Sequence, residues 1–548
     1  MIQKMKKKTK SRKESFMSGV MTLMISQIIV KIFGLVYKIY LTNRPGFGDT
    51  GNAIYNSGYQ IYALLLLLSS IGIPNAISKL VSERTSLGDY KGAHKIFKVA
   101  FMLLTVIGTI GSLILFFGAD FIANTILQIP EAKLTLMCIS PSIVLVAMSS
   151  VIRGYFNARS NMKATGDSQA LEQILKTVFT VLAVEVVAHL TSNNVTLMAA
   201  GANFATTISV IGSFIYIYKF YKVRKKGIHE EIQTTKPEFK DENTKSIISS
   251  IFKISIPISL TSIVSSVNKN IDSITVVRGL KKITTEAVAK EQYGILAGKV
   301  DTLVALPLSF TVAFATALVP GLSSAKAKND DAAIEKRVKL SLLITILIGL
   351  PCAFGLCVFA KEILQLVFPN AAAGANILQS ISFLVVFATL AQTINGALQG
   401  LGDFKTPVIA LILGVIVKTI LNIVIIPIQG IGILGATVSS QICQFIAFFI
   451  GFIKLKKMTK IKFDFNKFAI KPVLASAIMS AISYGIYYLL DFILPHKIAI
   501  MVGLVSAIIA YVVAVLALKI FSEEEIKDLP KGDKIHKVLV KLKIYKEA

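Results

Sequence analysis

The sequence predicts an all-α protein that crosses a membrane many times, and three observations support this fold class. First, 54% of the 548 residues are hydrophobic and only 16% are charged, whereas a soluble globule carries about a quarter charged residues. Second, apolar runs long enough for a helical span, roughly 20 residues, recur along the whole chain. Third, these runs are continuous rather than alternating, which disfavours a transmembrane β-barrel.

The apolar runs define fourteen predicted spans with soft boundaries. Two of the runs, the second and the eighth, are longer than a bilayer is thick and contain Pro74, Pro307 and Pro320, so we expect kinks or tilt that could serve gating. The first run follows a basic N-terminus but is too long for a signal peptide, so it is predicted to stay as a span. The spans lie near 16–41, 53–81, 96–119, 133–157, 168–190, 197–221, 247–277, 293–324, 338–360, 374–400, 406–427, 433–455, 467–491 and 497–520.

The loops differ in positive charge, which predicts the orientation. Lysines and arginines crowd the N-terminal tail 1–15 and alternate loops, whereas the opposite loops are poorer, with one exception at 278–290. By the positive-inside rule both termini are predicted to be cytoplasmic. The net charge of +28 is explained by these loops, and no recognisable nucleic-acid module accompanies it.

The chain repeats itself at an offset of about 240 residues. The run Gly154-Tyr-Phe-Asn-Ala-Arg-Ser-Asn-Met-Lys163 resembles Gly396-Ala-Leu-Gln-Gly-Leu-Gly-Asp-Phe-Lys405, and Lys176-Thr177 falls on Lys418-Thr419. We therefore predict two lobes of six spans each, 16–221 and 247–458. Because six is even, the lobes share one orientation and are related by an axis along the membrane normal, in a parallel pseudo-twofold repeat.

Three segments lie outside this repeat besides the basic tail 1–15. The charged stretch 222–246 reads as a cytoplasmic linker, and 467–520 forms two extra C-terminal helices. The basic segment 521–548 carries an apolar helical stripe, which suits a helix lying on anionic membrane lipids.

A polar face runs along the first predicted span. Gln27, Lys31, Gly34 and Lys38 fall on one side of the helix, and a lysine at the centre of a membrane helix costs about 2.5–3.5 kcal/mol. We expect this face to line a wet, basic cavity that takes an anionic substrate, and Gly34 to serve as a gating or kink position. The alternative is snorkelling to the interface, which suits Lys38 better.

The seventh predicted span carries a second polar stripe. Ser255, Ser259, Ser262 and Ser266 lead to Lys269 and Asp272 at spacings of three or four residues. We expect this stripe to face the first-span lysines across a central cavity between the two lobes; the alternative is that Lys269 and Asp272 neutralise each other. Lys418, with Asn422 beside it, is a further substrate-binding candidate.

The remaining charged groups give weaker signals. Glu172 and Lys176 have the i,i+4 spacing of a local structural pair. Glu185, Lys299 and Asp301 could couple to protons or cations, or could sit at water-exposed ends, and both readings stay open. Neither catalytic residues nor a metal site is predicted, because the four cysteines and five histidines form no ligand or nucleophile pattern.

Several motifs resemble a known family. Lys31-Ile-Phe-Gly34-Leu-Val-Tyr-Lys38 resembles the Arg-x-Leu-Gly motif in the first helix of MurJ-type lipid II flippases. The run 72–83, and Arg153-Gly-Tyr-Phe-Asn with Gln169 and Glu172-Gln173, are similar to stage V sporulation protein B and its Gram-positive flippase relatives. These proteins belong to the multidrug/oligosaccharidyl-lipid/polysaccharide exporter (MOP) superfamily.

The resemblance implies a fold of two six-helix bundles, with the last two spans offering a groove for a polyprenyl tail. It implies a flippase in the bacterial plasma membrane that moves a polyprenyl-pyrophosphate-linked saccharide, above all lipid II, from the inner to the outer leaflet by alternating access. Lys31 would occupy the first-helix cationic position, where arginine is usual. No cofactor is expected; the membrane potential or an H⁺ or Na⁺ gradient would drive transport, and cell-wall synthesis machinery is an expected partner.

Three other functions stay open at this point. A cation-coupled multidrug exporter of the same superfamily would want an acidic cavity, against the first-span lysines. An exporter of lipid-linked polysaccharide or teichoic-type precursors would share the basic cavity. A non-transporting scaffold for the envelope or spore coat would tolerate loss of Lys31 and Lys38.

Overall fold

The computed structural model describes residues 26, 29–67, 73–159, 161, 163–233, 242–327 and 329–522, and these contain helices and no strand. The first helix, α1, covers 29–43. The others are α2 Gly48–Leu67, α3 Ile73–Leu87, α4 Tyr90–Phe117, α5 Ala119–Phe121, α6 Ala132–Ile139, α7 Ser142–Ala158, α8 Lys163–Leu190, α9 Val195–Gln233, α10 Thr244–Leu280, α11 Glu286–Gly294, α12 Asp301–Ala327, α13 Asp331–Val358, α14 Ala360–Val367, α15 Ala375–Ile381, α16 Leu384–Gly400, α17 Lys405–Ile425, α18 Ile433–Thr459, α19 Lys471–Asp491 and α20 His496–Ala517, with π-helical turns at Ile122–Leu127, Ile295–Val300 and Asn466–Ile470.

Ten candidate membrane spans are present in the described part of the chain, judged by length and composition. They coincide with ten of the predicted spans, so the prediction of a multi-pass α-helical membrane protein is confirmed. The other four predicted spans, 16–41, 53–81, 247–277 and 293–324, fall on α1, on α2 and α3, on α10, and on α11 and α12. The count of fourteen stays a prediction.

The chain divides into two compact units, Met1–Gly298 and Lys299–Ala548. The core of the first unit gathers apolar side chains such as Ile77, Phe97 and Val151, and that of the second gathers others such as Val338 and Leu398. Helix α10 packs on α2, α3 and α4 of the first unit, although its sequence lies in the second repeat, 247–458. A helix can pack on one unit and still belong to the other sequence repeat. The packing of α10 therefore does not test the repeat boundaries, which stay a prediction.

The order of the helices shows the internal repeat directly. From α4 to α9 the first unit runs through a long helix, a short one, a broken pair and two long helices, and α13 to α18 repeats this order. Both units also contain a tight crossing at a glycine. A Cβ on Gly154 would lie 2.8 Å from the carbonyl oxygen of Pro74, and a Cβ on Gly400 would lie 3.0 Å from that of Val319.

Of the prolines predicted as kinks, Pro307 and Pro320 lie inside the long helix α12, whereas Pro74 is the second residue of the shorter helix α3. Pro74 lies in α3 beneath Gly154, and Pro307 is buried in α12, which remains helical on both sides of it. Pro320 also lies in α12, with its side chain outside the described residues. Their gating role, like that of Gly34, stays a prediction.

Both ends of the predicted linker 222–246 are helical, since α9 ends and α10 begins within it. Helix α9 continues to Gln233, and Ile228 packs into the same core as Ile247 and Ile251 of α10. This apolar contact is not visible in the sequence, because one isoleucine per two turns makes no stripe. Residues 234–241 lie outside the described part, as do the tail 1–15 and all but the first two residues of 521–548.

The exceptional basic loop 278–290 has a structural use. The guanidinium of Arg278 donates to the carbonyl of Thr125 at 2.7 Å, and Lys281 donates to that of Gln128 at 3.1 Å, so both cations sit at the carbonyl end of the π-helical turn Ile122–Leu127. Lys290 is buried and lies 2.6 Å from the carboxylate of Glu131. These contacts explain why cations are present in a loop that the positive-inside rule leaves poor in them.

A carboxylate completes this loop. Glu286 lies 2.7 Å from Lys290 and 2.9 Å from Lys281. Hydrogen bonds from Lys290 and then Lys281 hold the pKa of the Glu286 carboxyl below its usual value. We call Arg278, Lys281, Glu286 and Lys290, with Glu131, the loop latch.

Candidate functional site

Helix α1 packs closely on α8 at the glycine that the sequence analysis singled out. A Cβ on Gly34 would lie 3.7 Å from the side-chain amide nitrogen of Gln173, and the Thr177 hydroxyl donates to the carbonyl of Phe33 at 3.1 Å. Gly34 and the Thr177 hydroxyl thus position α1 against α8. The polar face of α1 is thereby placed beside α8, as a membrane helix with lysines requires.

Both lysines that were predicted to face each other belong to the first unit, and their facing each other across a cavity stays a prediction. Lys31 on α1 and Lys269 on α10 are both exposed, and their ammonium groups are near enough to repel each other electrostatically. Asp272 lies one turn beyond Lys269 on α10 and is half-buried. The first unit therefore contains two exposed like charges on different helices, and a bound anion would stabilise such an arrangement.

The other first-span candidates have different surroundings. Lys38 is half-buried, and its carbonyl accepts a hydrogen bond from the Thr42 hydroxyl at 2.9 Å. Gln27 lies outside the described residues. Substrate contact by Gln27, Lys31, Lys38, Lys269 and Asp272 stays a prediction.

The expected pair between Glu172 and Lys176 is not formed. Instead, Glu172 accepts a hydrogen bond from the Arg153 guanidinium at 3.0 Å, and Arg153, which is 9% exposed, also donates to Ser168 at 2.9 Å and to Ser213 at 3.0 Å. Arginine takes the carboxylate because its planar fork reaches several acceptors at once. The sequence contained a signal for this network, an arginine inside the apolar run 142–158, but not the identity of its partner.

Lys176 is held by aromatic rings. It is 5% exposed, and its Nζ lies 4.2 Å from the ring centroid of Tyr59 and 5.0 Å from that of Tyr37. These are cation–π distances. Nothing in the sequence spacing of the three residues indicates this cage, because they come from three different helices.

The repeat-related lysine is buried too. Lys418 on α17 is 2% exposed and its neighbour Asn422 is fully buried. In this conformation Lys418 therefore does not line an open surface, contrary to what a substrate-contacting lysine needs. The repeat-related lysines Lys176 and Lys418 are thus both buried. Contact of Lys418 with a substrate stays a prediction.

Glu185, Lys299 and Asp301 are the charged groups that could couple transport to protons or cations, and the structure describes all three. Arg44 forms a salt bridge with Glu185 at 2.9 Å. Lys299 is fully buried and donates to the carbonyls of Ala371 and Ala373, each at 2.7 Å, so it ties the π-helical turn Ile295–Val300 to the loop after α14. Asp301 is exposed.

The last two helices form an apolar groove. Helices α19 and α20 enclose a space of about 520 Å³, lined by Ile478, Ile482, Ile486, Ile509 and Val513 among others. Such a lining suits a hydrocarbon chain and offers almost no hydrogen-bonding group.

Comparison with known proteins gives a consistent picture. The profile of the family described as Polysaccharide biosynthesis protein matches residues 16–326, and that of MatE matches 257–424. The lipid II flippase MurJ of Bacillus subtilis is 25% identical over 90% of this chain and 92% of its own length. Stage V sporulation protein B of the same organism is 24% identical over 94% and 98%, and its uncharacterized membrane protein YabM is 28% identical over 95% and 96%.

Solved structures with the same fold come from two kinds of transporter. A lipid II flippase MurJ in an inward closed conformation superposes with a TM-score of 0.66 at 17% identity, covering 91% of this chain and 98% of that one. A multidrug resistance MATE family transporter of the MOP superfamily in an inward-facing conformation gives 0.67 at 14% identity, covering 81% and 98%. The fold expected from the sequence is confirmed.

Proposed function

Since the chain belongs to the polysaccharide biosynthesis protein family within the MOP superfamily, we propose that it flips a lipid-linked anionic saccharide across the bacterial plasma membrane. The observation that carries the proposal is the presence of two exposed lysines, Lys31 and Lys269, on two helices of the first unit and within range of each other's charge. We propose lipid II as the substrate, moved from the inner to the outer leaflet, with both termini cytoplasmic.

The charge of the site favours this substrate over a drug cation. Two ammonium groups held near each other raise each other's electrostatic energy, and a pyrophosphate between them relieves it, with roughly 4 kcal/mol of attraction per unit-charge pair at 4 Å and an effective dielectric constant of 20. A cationic drug would add to the repulsion. A MATE-like cation exporter is therefore disfavoured by this site, although the fold is shared.

The groove between α19 and α20 supports the lipid part of the proposal. A polyprenyl tail needs an apolar surface, and Ile482 and Ile509 line such a surface. We propose that the tail of the substrate rests in this groove during transport.

For the driving force we propose the membrane potential. Moving an anion toward a positive exterior is favourable by about 2.3 kcal/mol per charge for each 100 mV. Transport by the reconstituted protein should therefore slow when the potential is collapsed, and a rate indifferent to the potential would refute this part.

The experiment is rescue of a bacterium depleted of its own lipid II flippase, with labelling of lipid II in the outer leaflet. The wild type should restore growth and outer-leaflet lipid II, and Lys31→Ala and Lys269→Ala should each lower the labelled fraction at equal expression. Lys253→Ala is the matched control: it is exposed on the same helix as Lys269, and sixteen residues place it on roughly the opposite face. Rescue by all three variants alike would refute the proposed site. A wild type that restores neither growth nor outer-leaflet lipid II would refute lipid II as the substrate.

A further inference from the structure

Basic side chains gather at the end of the first unit where α4 begins and α9 leaves its apolar stretch. The ring of His94 on α4 packs on Phe97 and Tyr155, with centroids 5.7 and 6.2 Å away, and Phe97 also contacts Tyr221 of α9 at 5.2 Å. These ring contacts hold α9 against α4. The charged groups that act electrostatically on His94 are all basic and come from α4, from the end of α7 and from α9: Lys98, Arg159, Lys225 and His229.

Helix α9 brings an excess of positive charge to this place. Five of the eight residues 219–226 are lysine or arginine, whereas no Asp or Glu occurs in α9 before Glu230. The next carboxylate, Glu231, forms a salt bridge with Arg159. Clusters of about four to eight lysines and arginines directly beyond a membrane helix are typical of anionic lipid binding.

Three exposed lysines form the part of this cluster that a ligand can reach. Lys98 and Lys225 are exposed and act on the same ring, that of His94. Lys222 is exposed too and lies one turn before Lys225 on α9. Its Nζ is 5.1 Å from the ring centroid of Tyr218, a cation–π distance. We call Lys98, Lys222 and Lys225 the basic surface.

The depth of the basic surface along α9 indicates what can bind there. Helix α9 has 39 residues, about 58 Å of helix, whereas a bilayer with its headgroups is about 40–45 Å thick. Lys222 lies about 40 Å along the axis from Val195, the first residue of α9. Tyr218 and Tyr221 flank it, and tyrosine is enriched at the membrane interface. The basic surface is therefore at headgroup depth, where the phosphates of phospholipids are the nearest anions.

We propose that the basic surface binds the headgroup of an anionic phospholipid in the leaflet at the Gln233 end of α9. The ammonium groups of Lys98, Lys222 and Lys225 pair with the headgroup, and the exposed ring of Tyr218 packs beside the upper part of its acyl chains. Each lysine contributes roughly a fivefold factor in affinity. Lipid binding here does not depend on which substrate the protein transports.

The experiment uses the absence of tryptophan from the chain. Tyr218→Trp introduces a single fluorophore beside Lys222 and keeps an aromatic ring under its ammonium. This full-length variant is reconstituted into mixtures of phosphatidylglycerol and phosphatidylcholine in which one of the two lipids carries brominated acyl chains, which quench a neighbouring tryptophan. Quenching should show phosphatidylglycerol beside residue 218 roughly tenfold more often than phosphatidylcholine at equal amounts.

Substitutions in the Tyr218→Trp protein test the residues. Lys98→Gln with Lys225→Gln should lower the preference for phosphatidylglycerol by roughly fivefold or more, and Lys98→Arg with Lys225→Arg should keep it. Lys456→Gln with Lys457→Gln is the matched control, because it removes two exposed lysines from the end of α18 in the second unit; it should leave the preference unchanged.

Three results would overturn the proposal. Equal quenching by the two brominated lipids would exclude an anionic lipid at this surface. An undiminished preference in Lys98→Gln with Lys225→Gln would exclude these lysines as its ligands. Displacement of brominated phosphatidylglycerol by glycerol phosphate added to the aqueous phase would identify a site for free phosphate esters instead of a lipid site.

Discussion

Removing the Arg153 guanidinium should be among the most damaging single changes in the first unit. Arg153 is 9% exposed and donates to Glu172, Ser168 and Ser213 at 2.9 to 3.0 Å. It joins α7 to both α8 and α9. The substitution Arg153→Met keeps most of the apolar stem and deletes every one of these hydrogen bonds.

The cost can be worked from burial. Breaking a buried ion pair from one side costs about 3–5 kcal/mol because the other charge stays behind. The Glu172 side chain is 29% exposed, so part of its charge can be hydrated and the cost should lie toward the lower end, about 3 kcal/mol. The double variant Arg153→Met with Glu172→Met removes both charges and should recover most of this loss.

The assay is a double-mutant cycle on the free energy of unfolding in mixed micelles of a mild detergent and SDS. The four proteins are the wild type, Arg153→Met, Glu172→Met and the double variant. A coupling free energy of about 2 kcal/mol or more is expected. Additive effects of the two substitutions would refute the network as an energetic unit.

Three further changes test other parts of the structure. Gly154→Ala should destabilise the first unit by about 1–3 kcal/mol because its Cβ would meet the carbonyl of Pro74 at 2.8 Å, whereas Gly227→Ala, at a helical glycine with open space around it, should be neutral or slightly stabilising in the same unfolding assay. Acidification should loosen the loop latch. The pKa of Glu286 is lowered in the folded protein, so its stabilising effect is present above its ordinary pKa and lost as the pH falls through the folded value; hydrogen exchange of 278–290 should rise there in the wild type, and an equal rise in Glu286→Gln would contradict this. Lys299→Met should cost several kcal/mol, since it leaves the carbonyls of Ala371 and Ala373 without a buried donor, and an unchanged melting temperature would contradict that role.

The sequence predicted those features of the site that depend on one helix at a time. Periodicity placed Lys31 on a polar face of the first span and Lys269 on a polar face of the seventh, and the structure has both exposed in the first unit, within range of each other's charge. The cost of a lysine in lipid is local and large, so it can be read from a single helix.

Features that depend on contacts between helices could not be predicted in the same way. Glu172 has a lysine at the favourable i,i+4 spacing, yet Arg153 of another helix provides the better geometry. Lys418 resembled a cavity residue because the apolar sequence around it does not say whether its face is open, and the structure buries it. Ile228 was overlooked because a single buried isoleucine extends α9 without leaving a periodic pattern.

The central claim is that Lys31 and Lys269 together hold the phosphate-bearing headgroup during transport. The most direct measurement is the flipping rate of a labelled polyprenyl-pyrophosphate disaccharide in proteoliposomes, for the wild type, Lys31→Ala with Lys269→Ala, and Lys253→Ala. The account predicts at least a tenfold slower rate for the double variant and a wild-type rate for Lys253→Ala. Equal rates for all three proteins would contradict it.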